Sequence, residues 1–179
     1  MVYVGAAQFS LGRHSDALQN YERALSVSRE IGHRHGEATA TVNLANACFW
    51  QGQLEEAQTH FERLLPICRE IGDREREATV SGNLGNVCFV RGRLAQAQRH
   101  LQRSLEIARE IGYRHGEALA IGNLATVAYA LGHISEAQKH RERKLVISRE
   151  IGFREGEANA LAGLGNLLHQ FERRALRAQ

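Results

Sequence analysis

Between residues 36 and 71 the apolar positions follow two rhythms in turn. From about Gly36 to Gln51, Thr41, Leu44, Ala45 and Cys48 fall on one side of a wheel drawn at 100° per residue, with Ala38 close by. Thr39, Asn43, Asn46 and Trp50 fall within a narrow arc on the opposite side. From about Leu54 to Ile71, Ala57, Phe61, Leu64, Leu65, Cys68 and Ile71 keep the i, i+4, i+7 spacing of a buried stripe, and the small Ala57 permits close helix approach. The pattern predicts two helices: helix A with a packing face and a polar face, then helix B with an apolar stripe. Glycine supplies the punctuation, since Pro66 is the sole proline. Gly72 suits the left-handed position that ends helix B, and Glu77 suits the positive end of the next helix.

The same pattern recurs every 40 residues without insertion through four copies. Gly12, Gly52, Gly92 and Gly132 recur, as do Ala17, Ala57, Ala97 and Ala137, and then Leu25, Leu65, Leu105 and Leu145. The string Arg-Glu-Ile-Gly stands at 29–32, 69–72, 109–112 and 149–152. The chain therefore reads as a single array with units at about 1–35, 36–75, 76–115 and 116–155 and a partial capping unit at 156–179. One such hairpin cannot bury its own apolar face, so its stability has to come from stacking on its neighbours, and the end units should be unusual. The first unit leaves room only for a short helix A. The last loses its turn glycine, so its helix is expected to run on past the usual turn as a cap.

Asn83-Leu84-Gly85-Asn86, then Cys88, Phe89, Gly92, Ala97, Leu101 and Leu105, are the residues through which the chain resembles the tetratricopeptide repeat family, over practically its whole length. The similarity is closest to the forty-residue, Pins-type subclass. Thr41, Ser81, Ile121 and Leu161 stand where the 34-residue form has a helix A tryptophan, and Arg69 and Arg109 where it has a proline, which suits the longer subclass. The resemblance implies an all-α fold, a right-handed superhelical α-solenoid of helix-turn-helix repeats, whose A helices line a concave groove for extended or helical peptides. It places Asn43, Asn83 and Asn123 at one groove position, and Asn46, Asn86, Thr126 and Asn166 at another three residues later.

An amide side chain offers both a donor and an acceptor, so a ladder of asparagines could bracket the backbone of a bound peptide; the same residues could instead link adjacent A helices. Trp50, the sole tryptophan, is either an anchor for a partner's side chain or a cover for a neighbouring helix edge. His60, His100 and His140 also repeat at 40, but stacked helices hold equivalent positions about 8 to 10 Å apart, too far to converge on one metal ion. They read as structural, while His33, His35 and His115 read as solvent-facing loop residues. Cys48, Cys68 and Cys88 read as core thiols, with no C-x-x-C pair and no partnering base. Arg23, Arg63, Arg103 and Arg143, interleaved with Glu22, Glu62 and Glu142, read as a solvated face. Arg34/Glu37, Arg74/Glu77, Arg114/Glu117 and Arg154/Glu157 read as latches at the turn between repeats.

Composition narrows the function class further. Lys and Arg total 23 against 20 Asp and Glu, a formal charge of +3 spread along 179 residues, which gives no basis for expecting nucleic acid. No stretch approaches the roughly 18 apolar residues of a membrane span and no basic leader opens the chain, so a cytoplasmic, reducing setting is expected. No phosphate loop, serine elbow or paired-carboxylate site emerges, so no catalytic residue, metal or cofactor is expected. One departure stands out: where earlier units carry Tyr21, Phe61 and Leu101, the fourth carries Arg141, with Lys144 at another site of the stripe. The expected function is that of a non-catalytic interaction scaffold holding a peptide of a protein partner. The alternative is a structural or regulatory segment of a larger signalling protein linked to a protease, ATPase or transcription factor, able to self-associate through its array ends.

Overall fold

The structure, a computed structural model, describes the backbone of residues 14–177 and the side chains of residues 16–167. Within these limits it consists of eight helices and no strand: α1 (His14–Glu30), α2 (Arg34–Trp50), α3 (Leu54–Glu70), α4 (Arg74–Val90), α5 (Leu94–Glu110), α6 (Arg114–Ala130), α7 (Ile134–Glu150) and α8 (Arg154–Arg177). Even-numbered helices are the A helices, and odd-numbered ones the B helices. Each packs on the next along the chain, and α4 also touches α6 as α6 touches α8. This is an all-α repeat solenoid. The short first helix expected before α1 lies outside the described residues.

The turns repeat one construction. At the end of α3, Gly72 has φ +69°. Its N–H donates to the Arg69 carbonyl at 3.2 Å, and the Asp73 N–H reaches back to the Cys68 carbonyl at 2.9 Å. That pair of bonds satisfies carbonyls the helix itself leaves open, and it requires a left-handed residue between them. Asp73 also caps α4, its side chain accepting from the Arg76 N–H at 2.9 Å. Pro66 does not end α3, because it lies on the exposed side of the helix together with Glu62, whose carbonyl loses its partner there.

Burial follows the expected stripes and adds one. Ala38, Ala45 and Cys48 cluster with Ala57, Phe61, Leu64 and Cys68 of α3. Ala40, Leu44 and Ala47 instead cluster with Ala17, Tyr21, Ala24 and Leu25 of α1. Helix A is thus buried on two sides, between its own helix B and the preceding one, whereas the sequence pattern shows one packing face. The second side is built largely of alanine or valine, as at Val80 and Val87, so it carries little periodic signal. The last helix runs without interruption from Arg154 to Arg177, past the position where the other units turn.

A network of ions ties the repeats together. Glu77, with 1% of its side chain exposed, accepts from Arg69 Nε at 2.8 Å and is also bonded by Arg74. Glu37 is held in the same way by Arg29 at 2.9 Å and Arg34 at 2.8 Å. Arg34 then extends its second terminal nitrogen to Glu70, at 2.8 Å, and Arg74 and Arg114 reach Glu110 and Glu150 in the same way. The expected latches are therefore one half of a ladder in which the Arg of each Arg-Glu-Ile-Gly string, and the Glu of the second, third and fourth, take part. Burial works to raise the Glu77 pKa, but the hydrogen bonds and charges of Arg69 and Arg74 outweigh it, and the carboxyl titrates below its ordinary value.

Candidate functional site

Two successive cavities open on the face formed by the A helices. The first, about 150 Å³, is lined by Asn46, Phe49, Trp50, Phe61, Asn83 and Asn86. The second, about 260 Å³, is lined by Phe49, Asn86, Phe89, Val90, Leu101, Asn123, Thr126 and Val127. In each, a helix B side chain forms an apolar floor, Phe61 or Leu101, while amides stand at the rim. Trp50 is 73% exposed and makes an edge contact with Phe49, ring centres 5.5 Å apart.

The structure brings together Asn46, Trp50, Asn83 and Asn86 at the first cavity, and Asn86, Asn123 and Thr126 at the second. Asn43 is half-buried and Asn166 exposed, and neither lines these cavities. The Asn83 side-chain N–H donates to Asn46 Oδ1 at 3.3 Å, joining two successive A helices. Thr126 donates its hydroxyl to the Gly122 carbonyl of its own helix at 3.2 Å. Asn86 belongs to both cavities. Phe49 and Phe89 were not among the residues read from the sequence as groove-lining. Their signal was the aromatic at 49, 89 and 129, three residues after each of the first three positions of the second amide ladder.

The remaining histidines, cysteines and arginines lie in different surroundings. Burial, followed by a nearby arginine charge, pushes the His60 and His100 pKa values down, and both rings are half-buried beside the core. His33 and His35 are exposed as expected. His115 corrects the sequence reading: it is half-buried in α6 and its ring meets that of Phe153 at a tilt of 58°, centres 4.4 Å apart, because the next repeat's turn folds over it. All three cysteines are buried, and desolvation pushes the Cys68 thiol up to about 11. No group of His, Cys, Asp and Glu among the described residues could hold a metal ion, and no helix there is long and apolar enough to cross a membrane. Arg63, Arg103 and Arg143 lie exposed, as a solvated face requires.

Comparison with known structures returns the same fold. The chain is similar to a signal transduction ATPase with numerous domains from Pyrococcus horikoshii, a protein with a tetratricopeptide repeat sensor, at 19% identity and a TM-score of 0.82, covering 91% of this chain and 25% of that one. It is similar to a Rap protein complexed with competence and sporulation factor, at 18% identity and a TM-score of 0.81, covering 99% of this chain and 50% of the other. It is also similar to a kinesin light chain of Podosopora anserina with nearly identical repeats, at 17% identity and a TM-score of 0.70, covering 99% and 94%. The chain thus spans a quarter of the signalling ATPase and half of the Rap protein. At these identities the likeness concerns the fold alone. No curated protein sequence matches the chain. The tetratricopeptide repeat family model matches residues 1–70, 36–110 and 76–143, in overlapping windows that step along the forty-residue period, and the chain belongs to that family of protein-interaction repeats.

Proposed function

We propose that the chain is a non-catalytic scaffold that holds a peptide segment of a protein partner along the face of its A helices. The observation that carries this reading is the position of Asn86, half-buried at the rim shared by two apolar-floored cavities. A peptide crossing there can seat one side chain in each cavity while its backbone meets the amide between them. Hydrogen bonds without net charge suit recognition of a peptide backbone that depends only modestly on salt, unless acidic residues of the ligand also meet arginine. Trp50 supplies a large exposed aromatic surface at the edge of the first cavity. Asn83 divides its role, because its bond to Asn46 favours a scaffold function for that pair.

The test is a peptide selected by display against the chain, then titrated against wild type and Asn86→Ala with thermal melts in parallel. Asn86→Ala should weaken binding by roughly 0.5 to 1.5 kcal/mol per hydrogen bond lost, with little change in melting temperature. Equal affinity for both proteins would remove Asn86 as the reader, and unfolding of the variant would assign the amides to the scaffold. A second reading is a regulatory repeat segment of a larger protein, favoured by the similarity to the repeat sensor of the signalling ATPase, of which the chain covers 25%.

A further inference from the structure

The two cavities are one cavity repeated. Advancing Asn46, Phe49, Trp50, Phe61, Asn83 and Asn86 by one period gives Asn86, Phe89, Val90, Leu101, Asn123 and Thr126, all of which line the second cavity. Advancing once more gives Thr126, Tyr129, Ala130, Arg141, Gly163 and Asn166. The floor position therefore runs Phe61, Leu101, Arg141: two buried apolar side chains, then a guanidinium. One contact supports the third arrangement. The Arg141 guanidinium lies against the backbone of Gly163, so closely that a Cβ there would stand 1.3 Å from a terminal nitrogen.

This end of the face also carries two cations that no described carboxylate pairs with. Arg141 is half-buried, and its Nε is buried without a hydrogen-bond partner. Lys144 lies one turn further along α7, half-buried against Gly122, where a Cβ would stand 2.9 Å from Nζ. Neither cation forms an ion pair with a described residue. Burial, and then the Arg141 charge, push the Lys144 pKa down, while Glu155 opposes this from beyond ion-pairing distance. Two neighbouring cations inside a repeat destabilise it unless an anion meets them, and a guanidinium offers that anion a directed fork of donors.

We propose that the third position receives a carboxylate, so that the peptide held by this chain is acidic: two of its apolar side chains seat over Phe61 and Leu101, and a carboxylate pairs with Arg141 and Lys144. The proposal rests on the groove reading above and specifies its ligand. Packed helices stand about 8 to 10 Å apart. An extended polyproline-type segment advances about 3.1 Å per residue, so three residues span about 9 Å. The matching ligand places an apolar, an apolar and an acidic side chain at every third residue.

The experiment uses capped, amidated peptides Leu-Pro-Pro-Leu-Pro-Pro-Glu and the reverse order Glu-Pro-Pro-Leu-Pro-Pro-Leu. Each has a twin with Gln for Glu, and a Gln version of the first carries a free C-terminal acid. Binding to the full chain is read from the fluorescence of Trp50, the one tryptophan, beside the first cavity. In one order the Glu peptide should bind at least about tenfold more tightly than its Gln twin at low salt, as a charge-assisted pair requires. The preference should fall toward one in Arg141→Leu and be partly retained in Arg141→Lys. Arg141→Leu should melt higher than wild type, which also shows that it folds. A gain by the free-acid Gln peptide would identify a chain terminus as the source of the carboxylate.

Equal binding of Glu and Gln peptides, or a preference that survives Arg141→Leu, overturns the proposal. If none of these peptides binds while display-selected peptides bind in an Asn86-dependent way, the acidic ligand is wrong and the groove reading stands. If neither class binds, both fall.

Discussion

A buried carboxylate is destabilising unless it is bonded, and Glu77 shows how this chain turns one into a joint. Its two oxygens are held by Arg69 and Arg74, from helices on either side of the turn. Glu77→Gln keeps the shape but leaves Arg69 without its anion and Arg74 with Glu110 alone. Because both arginines are more than a third exposed, we expect a loss of about 1 to 3 kcal/mol, below the full value for a buried pair. The depressed carboxyl pKa also fixes the sign of a pH effect. The stabilisation from Glu77 is present above the ordinary value of 4.5 and is lost as pH falls from there through the lower folded value. Melts from pH 7 to pH 3 should show the two proteins converging at the acid end. The Arg74/Glu77 half of the joint was legible because a spacing of three lies within one helical turn. Arg69 and Glu110 were not, since those contacts cross a turn or a whole repeat and depend on how the units stack.

Helix boundaries depend on local chemistry, and they came through most clearly in the sequence. The spacing predicts helices at about 36–51 and 54–71, and the structure places them at Arg34–Trp50 and Leu54–Glu70. Glycine made them legible, through the left-handed backbone that each turn needs. Gly72→Ala isolates this requirement, because a Cβ there would meet no atom within 4 Å. The expected loss of about 1 kcal/mol is conformational, arising from an L-residue forced to φ near +69°. Urea titration should show a lower midpoint with an unchanged slope. The second buried side of the A helices stayed hidden, because alanines such as Ala40 and Ala47 mark a close approach without marking a hydrophobic stripe.

Across the whole molecule stability should be uneven, since each repeat rests only on its neighbours. Phe61, Leu64, Leu84 and Leu101 fill the middle of the stack, whereas α7 brings Arg141 and Lys144 to the equivalent inner positions. Native-state hydrogen exchange should therefore show the slowest amides in α3 to α5 and faster ones in α7; equal protection in α7 would mean that the cations are better accommodated than their surroundings imply. The candidate site was half legible at this scale. Periodicity located the amide ladder, but the floors at Phe61 and Leu101 were read only as core, because their opening into the A-helix face follows from the gap between successive A helices. Nothing within a single repeat encodes that gap.

The arginine–glutamate ladder has a consequence for how such a chain can change length. Arg34 reaches Glu70, Arg74 reaches Glu110 and Arg114 reaches Glu150, each partner 36 positions ahead and supplied by the following unit. Every interior unit thus carries both the socket and the plug at fixed addresses. An in-frame duplication or deletion of forty codons would splice like to like, whatever its starting point within the array. New length could arise by copying alone, while the amide and floor positions of each copy remain free to diverge, as Leu101 and Arg141 already have.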